Sequence, residues 1–120
     1  MRLFYKVLVL IGAALASFPA QACSCKKMTR EQAVAATPVV FEGRVLRVRK
    51  EGNSVYADIE AARVLKGSVP RVVEVGTHAS SAACGYTFRV GQTLTVGASL
   101  SQMQFSTNMC TMVPLNAGAR

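Results

Sequence analysis

"VVFEGRVLRVRKEGNSVYADIEAARVL", residues 39–65, is two apolar runs around a short polar turn, and its periodicity decides the fold class. β-Branched residues dominate both runs, and such side chains fit a pleated, half-buried surface. In the second run Val55, Ala57, Ile59 and Ala61 alternate with Tyr56, Asp58 and Glu60. Alternation of that kind predicts a strand with one face buried and the other wet. In the first run the alternation slips near Gly43, as it does where a bulge changes which side faces inward. "EGNS", residues 51–54, joins the two as a hairpin.

Outward from this hairpin the chain continues in short strands. "KGSVP" is a break, and "RVVEVGT" after it reads as a third strand. The small-residue loop "HASSAACGY" carries Cys84 onward, Gly91 marks a turn, a fourth strand covers residues 93–98, and "QMQFST" reads as a fifth. Upstream, Thr29 and Gln32 have capping-box spacing and open a short helix over "REQAVAAT", which Pro38 stops. The tail "PLNAGAR" is expected to fray. Short strands separated by turns imply a closed or sandwiched all-β domain with one small helix.

The first residues carry a different signal. Arg2 and Lys6 precede an apolar run over residues 7–18, and Ala20 and Ala22 place small side chains at −3 and −1 of a cleavage point before Cys23. This is the pattern of a secretory leader. A spanning helix needs about 20 apolar residues, and Pro19 and Gln21 end this run too soon. Removal of residues 1–22 leaves a single domain over residues 23–120, secreted or periplasmic, with 12 basic against 6 acidic side chains and a net charge of +6. That charge reads as solubility with weak attraction to anionic surfaces.

All four cysteines, Cys23, Cys25, Cys84 and Cys110, fall in the domain, where an exported chain forms disulfides. Four cysteines permit three pairings. A Cys23–Cys25 bridge closes too tight a ring, so each reaches one of the distant pair, and two arrangements remain. Either one encloses loops of about 60 residues or more and restricts the unfolded chain by roughly 4 kcal/mol per bridge.

The cysteines and their surroundings also carry a resemblance. "CSC" at the start of the domain, "VVFEGRVLRV", "RVLKG", "ACGYTFRVGQTLTVGA" and the final cysteine are similar to the netrin-type module, and within it to the tissue inhibitors of metalloproteinases and their shorter bacterial relatives. The likeness runs from Cys23 to about Leu115 and is most specific at Cys-x-Cys and at Cys84, Gly85, Phe88 and Gly91. It implies an OB-like five-stranded β-barrel with Cys23 bonded to Cys84 and Cys25 to Cys110. It also implies inhibition of a zinc metalloprotease: the free amine and the carbonyl of Cys23 chelate the protease's zinc, Ser24 enters the specificity pocket, and Ala82 and Ala83 flank the ridge. The chain departs from the inhibitors in having Lys26 and Lys27 after the second cysteine, and four cysteines where the inhibitory module has six.

Other chemistries compete for the same residues. A lipidated Cys23 would tether the domain to a membrane, but Ala20-Gln21 does not match the apolar, small pattern expected before a lipidated cysteine. Met103, Met109 and Met112 near Cys110 offer soft ligands for Cu(I), against core filling as the plainer use of methionine. Zinc-finger spacing is absent around the cysteines and the lone His78. His78, the sole aspartate Asp58, and Ser80 or Ser81 compose a Ser-His-Asp set on paper, without a nucleophile elbow, so no enzyme is expected and His78 reads as an exposed loop residue. Arg44, Arg47, Arg49 and Lys50 form a basic stripe, which reads as protection of a strand edge and not as a nucleic-acid surface, since Trp is absent and the other aromatics suit the core. No cofactor is expected. The alternative to inhibition is a protein-interaction module at the cell envelope.

Overall fold

The structure, a computed structural model, describes residues 23–118; the leader expected over residues 1–22 lies outside them. In chain order it comprises helix α1 (Arg30–Ala36), strands β1 (Val39–Glu51), β2 (Ser54–Lys66) and β3 (Val72–His78), a 3-10 turn (Ser81–Ala83), strands β4 (Thr93–Ser101) and β5 (Gln104–Ser106), and helix α2 (Met109–Leu115). The strands close in the order β1-β2-β3-β5-β4, an OB-like barrel in which β1 pairs with both β2 and β4. Every contact in the ring is antiparallel except β3 to β5. Among the described residues no helix is long and apolar enough to cross a membrane.

The hairpin at residues 39–65 has the expected form. β1 runs against β2 with register shifts between Val40 and Phe41, Glu42 and Gly43, and Val45 and Arg47, so the slip read at Gly43 is one of three irregularities. Bulges raise the local twist and bend the strand, which lets one long strand border two neighbours around a small barrel. Ala57 and Ile59 point inward to meet Phe41, Val45, Val73, Val75, Val96 and Phe88. A side chain the size of Phe41 or Ile59, fully buried here, stabilises the fold by about 2–3 kcal/mol.

Two of the four residues of the basic stripe are neutralised across the strands. Arg47 pairs with Asp58 at 2.8 Å, and Arg49 with Glu74 at 2.6 Å while its guanidinium lies 5.0 Å from the centre of the Tyr56 ring. Arg47, Arg49 and Lys50 lie past the last β4 partner of β1, on a stretch bordered by β2, consistent with an edge. Arg44, paired with Thr93 of β4, is inside the sheet.

At α1, the Thr29 hydroxyl accepts from the Gln32 N–H while the Gln32 side chain accepts from the Thr29 N–H, which is the capping box read from the sequence. The helix stops one residue earlier than expected: Thr37 is its C-cap. Lys66, at the end of β2, donates to the carbonyls of Val34 and Ala35, filling the orphan acceptors of the last turn.

The expectation of a frayed tail is wrong for its first residues. Met109–Leu115 is helical with Pro114 inside it, and Leu115 is fully buried against Ala33 and Val40. Proline reads as a helix stop, and Pro114 does act near the end: it lacks the N–H that would bond the Cys110 carbonyl, and the helix finishes one residue later at Leu115. The strand β4 also runs longer than expected, to Ser101, and β5 is shorter, because Gln102 and Met103 make the turn between them with positive φ. α2 lies directly on β4: a Cβ at Gly97 would meet Leu115 and Thr111 side-chain atoms at 2.5 and 2.6 Å, so only glycine allows this approach.

Candidate functional site

Cysteine chemistry gathers at one end of the barrel. The bridges are Cys23–Cys84 and Cys25–Cys110, with Cα separations of 5.1 and 5.2 Å, the pairing that the resemblance implies. They lie against each other: Cys23 Sγ is 3.9 Å from Cys25 Sγ and 3.8 Å from Cys110 Sγ, and Cys110 Sγ is 3.9 Å from Cys84 Sγ. All four sulfurs are oxidised, so these are van der Waals contacts without a shared proton.

Each anchor is built by its own local structure. Ser80 caps the 3-10 turn, its hydroxyl accepting from the Ala82 N–H at 3.2 Å and its carbonyl from the N–H groups of Ala83 and Gly85. Cys84 ends that turn in the left-handed conformation, φ 66°, a position that non-glycine residues occupy only when their surroundings enforce it. Two features enforce it. The Cys84 carbonyl accepts from the Met109 N–H at 2.8 Å, and at Gly85 a Cβ would overlap the His78 carbonyl. The Cys-Gly pair is thus a corner that aims the Cys84 sulfur at Cys23. Phe88, four residues on, is buried in the core with Tyr86 edge-on to it at 5.0 Å. Cys110 is carried on α2, whose N-cap Asn108 accepts from the Thr111 N–H at 3.2 Å.

Through these bridges the chain that follows Cys23 is held to the 3-10 turn and to α2. Ser24, Ala82 and Ala83 are exposed, and Cys23 is half-buried. The first bridge ties Cys23 to Cys84, so the residue after Cys23 and the two before Cys84 belong to the same end of the molecule. Beside the second bridge lies an open, mainly apolar groove of about 320 Å³, lined by Met28, Met109, Val113 and Pro114, with Lys26 and Lys27 at its rim. The sequence pattern does not mark it, because nearly half of its wall is α2, a seven-residue helix with an internal proline and no clear periodicity.

The rival constellations do not assemble. Met112 is fully buried in the core and Met103 stands at the exposed β4–β5 turn, so of the three methionines named for Cu(I) only Met109 lines the groove with Cys110. His78 ends β3 opposite Ser54 and accepts the Ser80 N–H at its Nδ1. Asp58 lies four residues from Ser54 along β2, roughly 13 Å away, and is ion-paired to Arg47.

Comparison of the sequence with protein-family models and with curated proteins finds no match.

Proposed function

We propose that the chain is exported, cleaved after Ala22, and acts by binding: its new amino terminus enters the catalytic site of a zinc metalloprotease. The observation that carries this reading is the pair of adjacent disulfides that pins Cys23, and with it two residues of following chain, to a rigid barrel. A chain-terminal amine titrates near pH 8, so a zinc ion competes for it near neutrality. Catalytic zinc keeps one coordination position open for water or substrate and can expand to five ligands, so the Cys23 amine takes the place of the water and its own carbonyl oxygen adds beside it. Because the segment is already ordered, docking loses little conformational entropy. Ser24 is the residue aimed past the metal into the pocket, and the exposed Ala82 and Ala83 form the ridge beside it.

The resemblance to netrin-type inhibitors supports this reading, and the apolar groove edged by Lys26 and Lys27 supports a second, in which the same end docks a protein without touching a metal. One experiment separates them. A protein beginning at Cys23 and a variant with one alanine ahead of it are assayed against a panel of zinc endopeptidases. Chelation predicts that the first inhibits at least one enzyme and that the extension abolishes it. Equal inhibition by both, or none by either, rejects the chelating role; groove docking is then tested with reversal of Lys26 and Lys27 to glutamate.

A further inference from the structure

We infer that, before oxidation, the four cysteines form a tetrathiolate metal site for a soft divalent cation such as Zn²⁺. The sulfurs come from three separate parts of the chain, so no finger spacing appears in the sequence, yet all four lie within 4.8 Å of one another. Three non-bonded S···S distances are 3.8, 3.9 and 3.9 Å. Zn–S bonds of about 2.3 Å in tetrahedral array require sulfurs about 3.8 Å apart. Three of the four cross distances therefore already have about the required length, and the fourth, Cys25 to Cys84, lies within 4.8 Å. Only the two bonded pairs must open, and both include a cysteine of residues 23–25, the segment ahead of α1.

The surroundings suit the charge. A zinc ion with four thiolates carries two net negative charges, and Lys26 and Lys27, which follow Cys25 directly, make no ion pair among the described residues. Glu42, Glu51, Asp58, Glu60 and Glu74 are ion-paired to arginines, and Glu31 of α1 is the one acidic side chain without an ion pair among the described residues. Binding balances as one Zn²⁺ plus four thiols giving the tetrathiolate and four protons, with no electron transferred. Conversion to the disulfide form by an external disulfide oxidant moves two electrons per bridge and releases the metal. The same staple at the barrel's end thus exists in a metal form and an oxidised form, and the reduced chain need not wait unstapled for oxidation.

The test uses the chain from Cys23, reduced with a phosphine and titrated anaerobically with Co²⁺, then displaced with Zn²⁺. The expected result is one Co²⁺ per chain with the intense visible bands of tetrahedral thiolate coordination, and amide exchange protection in β1–β4 that the metal-free reduced chain lacks. Cys84→Ser and Cys110→Ser should each lose the four-thiolate spectrum. Lys26→Glu with Lys27→Glu, both exposed, should weaken Co²⁺ severalfold while the oxidised form folds as before. Absence of Co²⁺ uptake overturns the inference, as does uptake without barrel protection, or a spectrum unchanged by Cys84→Ser.

Discussion

Gly85 is small because the chain leaves no room for anything else. Its missing side chain lets the Cys84 corner close over the His78 carbonyl, so Gly85→Ala should destabilise the fold by about 3 kcal/mol in denaturant titration. The same substitution should make Cys84 miss its partner in a fraction of refolded chains, read by disulfide mapping. At Thr29, whose hydroxyl caps α1, alanine should cost about 1 kcal/mol. The capping box was legible in the sequence because it is a local pattern within a few residues, and Cys84-Gly85 stood out only as part of the netrin-type resemblance. What that corner meets was not legible, since the His78 carbonyl and the Met109 N–H arrive from other elements. If the Cys23 amine is the ligand, inhibition should weaken as pH falls below about 8, since the protonated amine has no lone pair to offer; a flat pH profile of the inhibition constant speaks against it.

At the scale of elements, alternation predicted the strands and failed at α2. Four of the five strands carry β-branched or alternating runs, whereas α2 is seven residues with a proline, and only two of its side chains are buried. Its stability comes from what it completes. β5 pairs with β4 only from Ser99 onward, which leaves the Thr95 N–H and C=O facing α2. Asn116 satisfies both, its side-chain oxygen accepting from the Thr95 N–H and its NH₂ donating to the Thr95 carbonyl, each at 2.9 Å. A side-chain amide stands in for a missing strand. Asn116→Ala should therefore cost about 2 kcal/mol, measured by urea unfolding, although sequence pattern placed this residue in a fraying tail. The ion pairs on the outer sheet are a contrast. Arg47→Ala, which removes the pair to Asp58 on an exposed face, should change stability by less than about 1 kcal/mol.

For the whole molecule the deciding facts are long-range. Periodicity gave five strands but not the parallel β3–β5 contact that closes the ring, and cysteine spacing left two pairings open until the topology brought Cys84 to Cys23 and Cys110 to Cys25. The Cys25–Cys110 bridge spans 85 residues, and replacing both by serine should cost about 4 kcal/mol. For a domain of this size that is a large part of the stability, and thermal unfolding of the double variant measures it directly. The functional account rests on where the exported chain begins and how its sulfurs are joined. Amino-terminal sequencing and disulfide mapping of the protein recovered outside the cytoplasm test this most directly. The account predicts a free amine on Cys23, with Cys23 joined to Cys84 and Cys25 to Cys110; a blocked or lipidated Cys23, a different first residue, or reduced thiols in the recovered protein would contradict it.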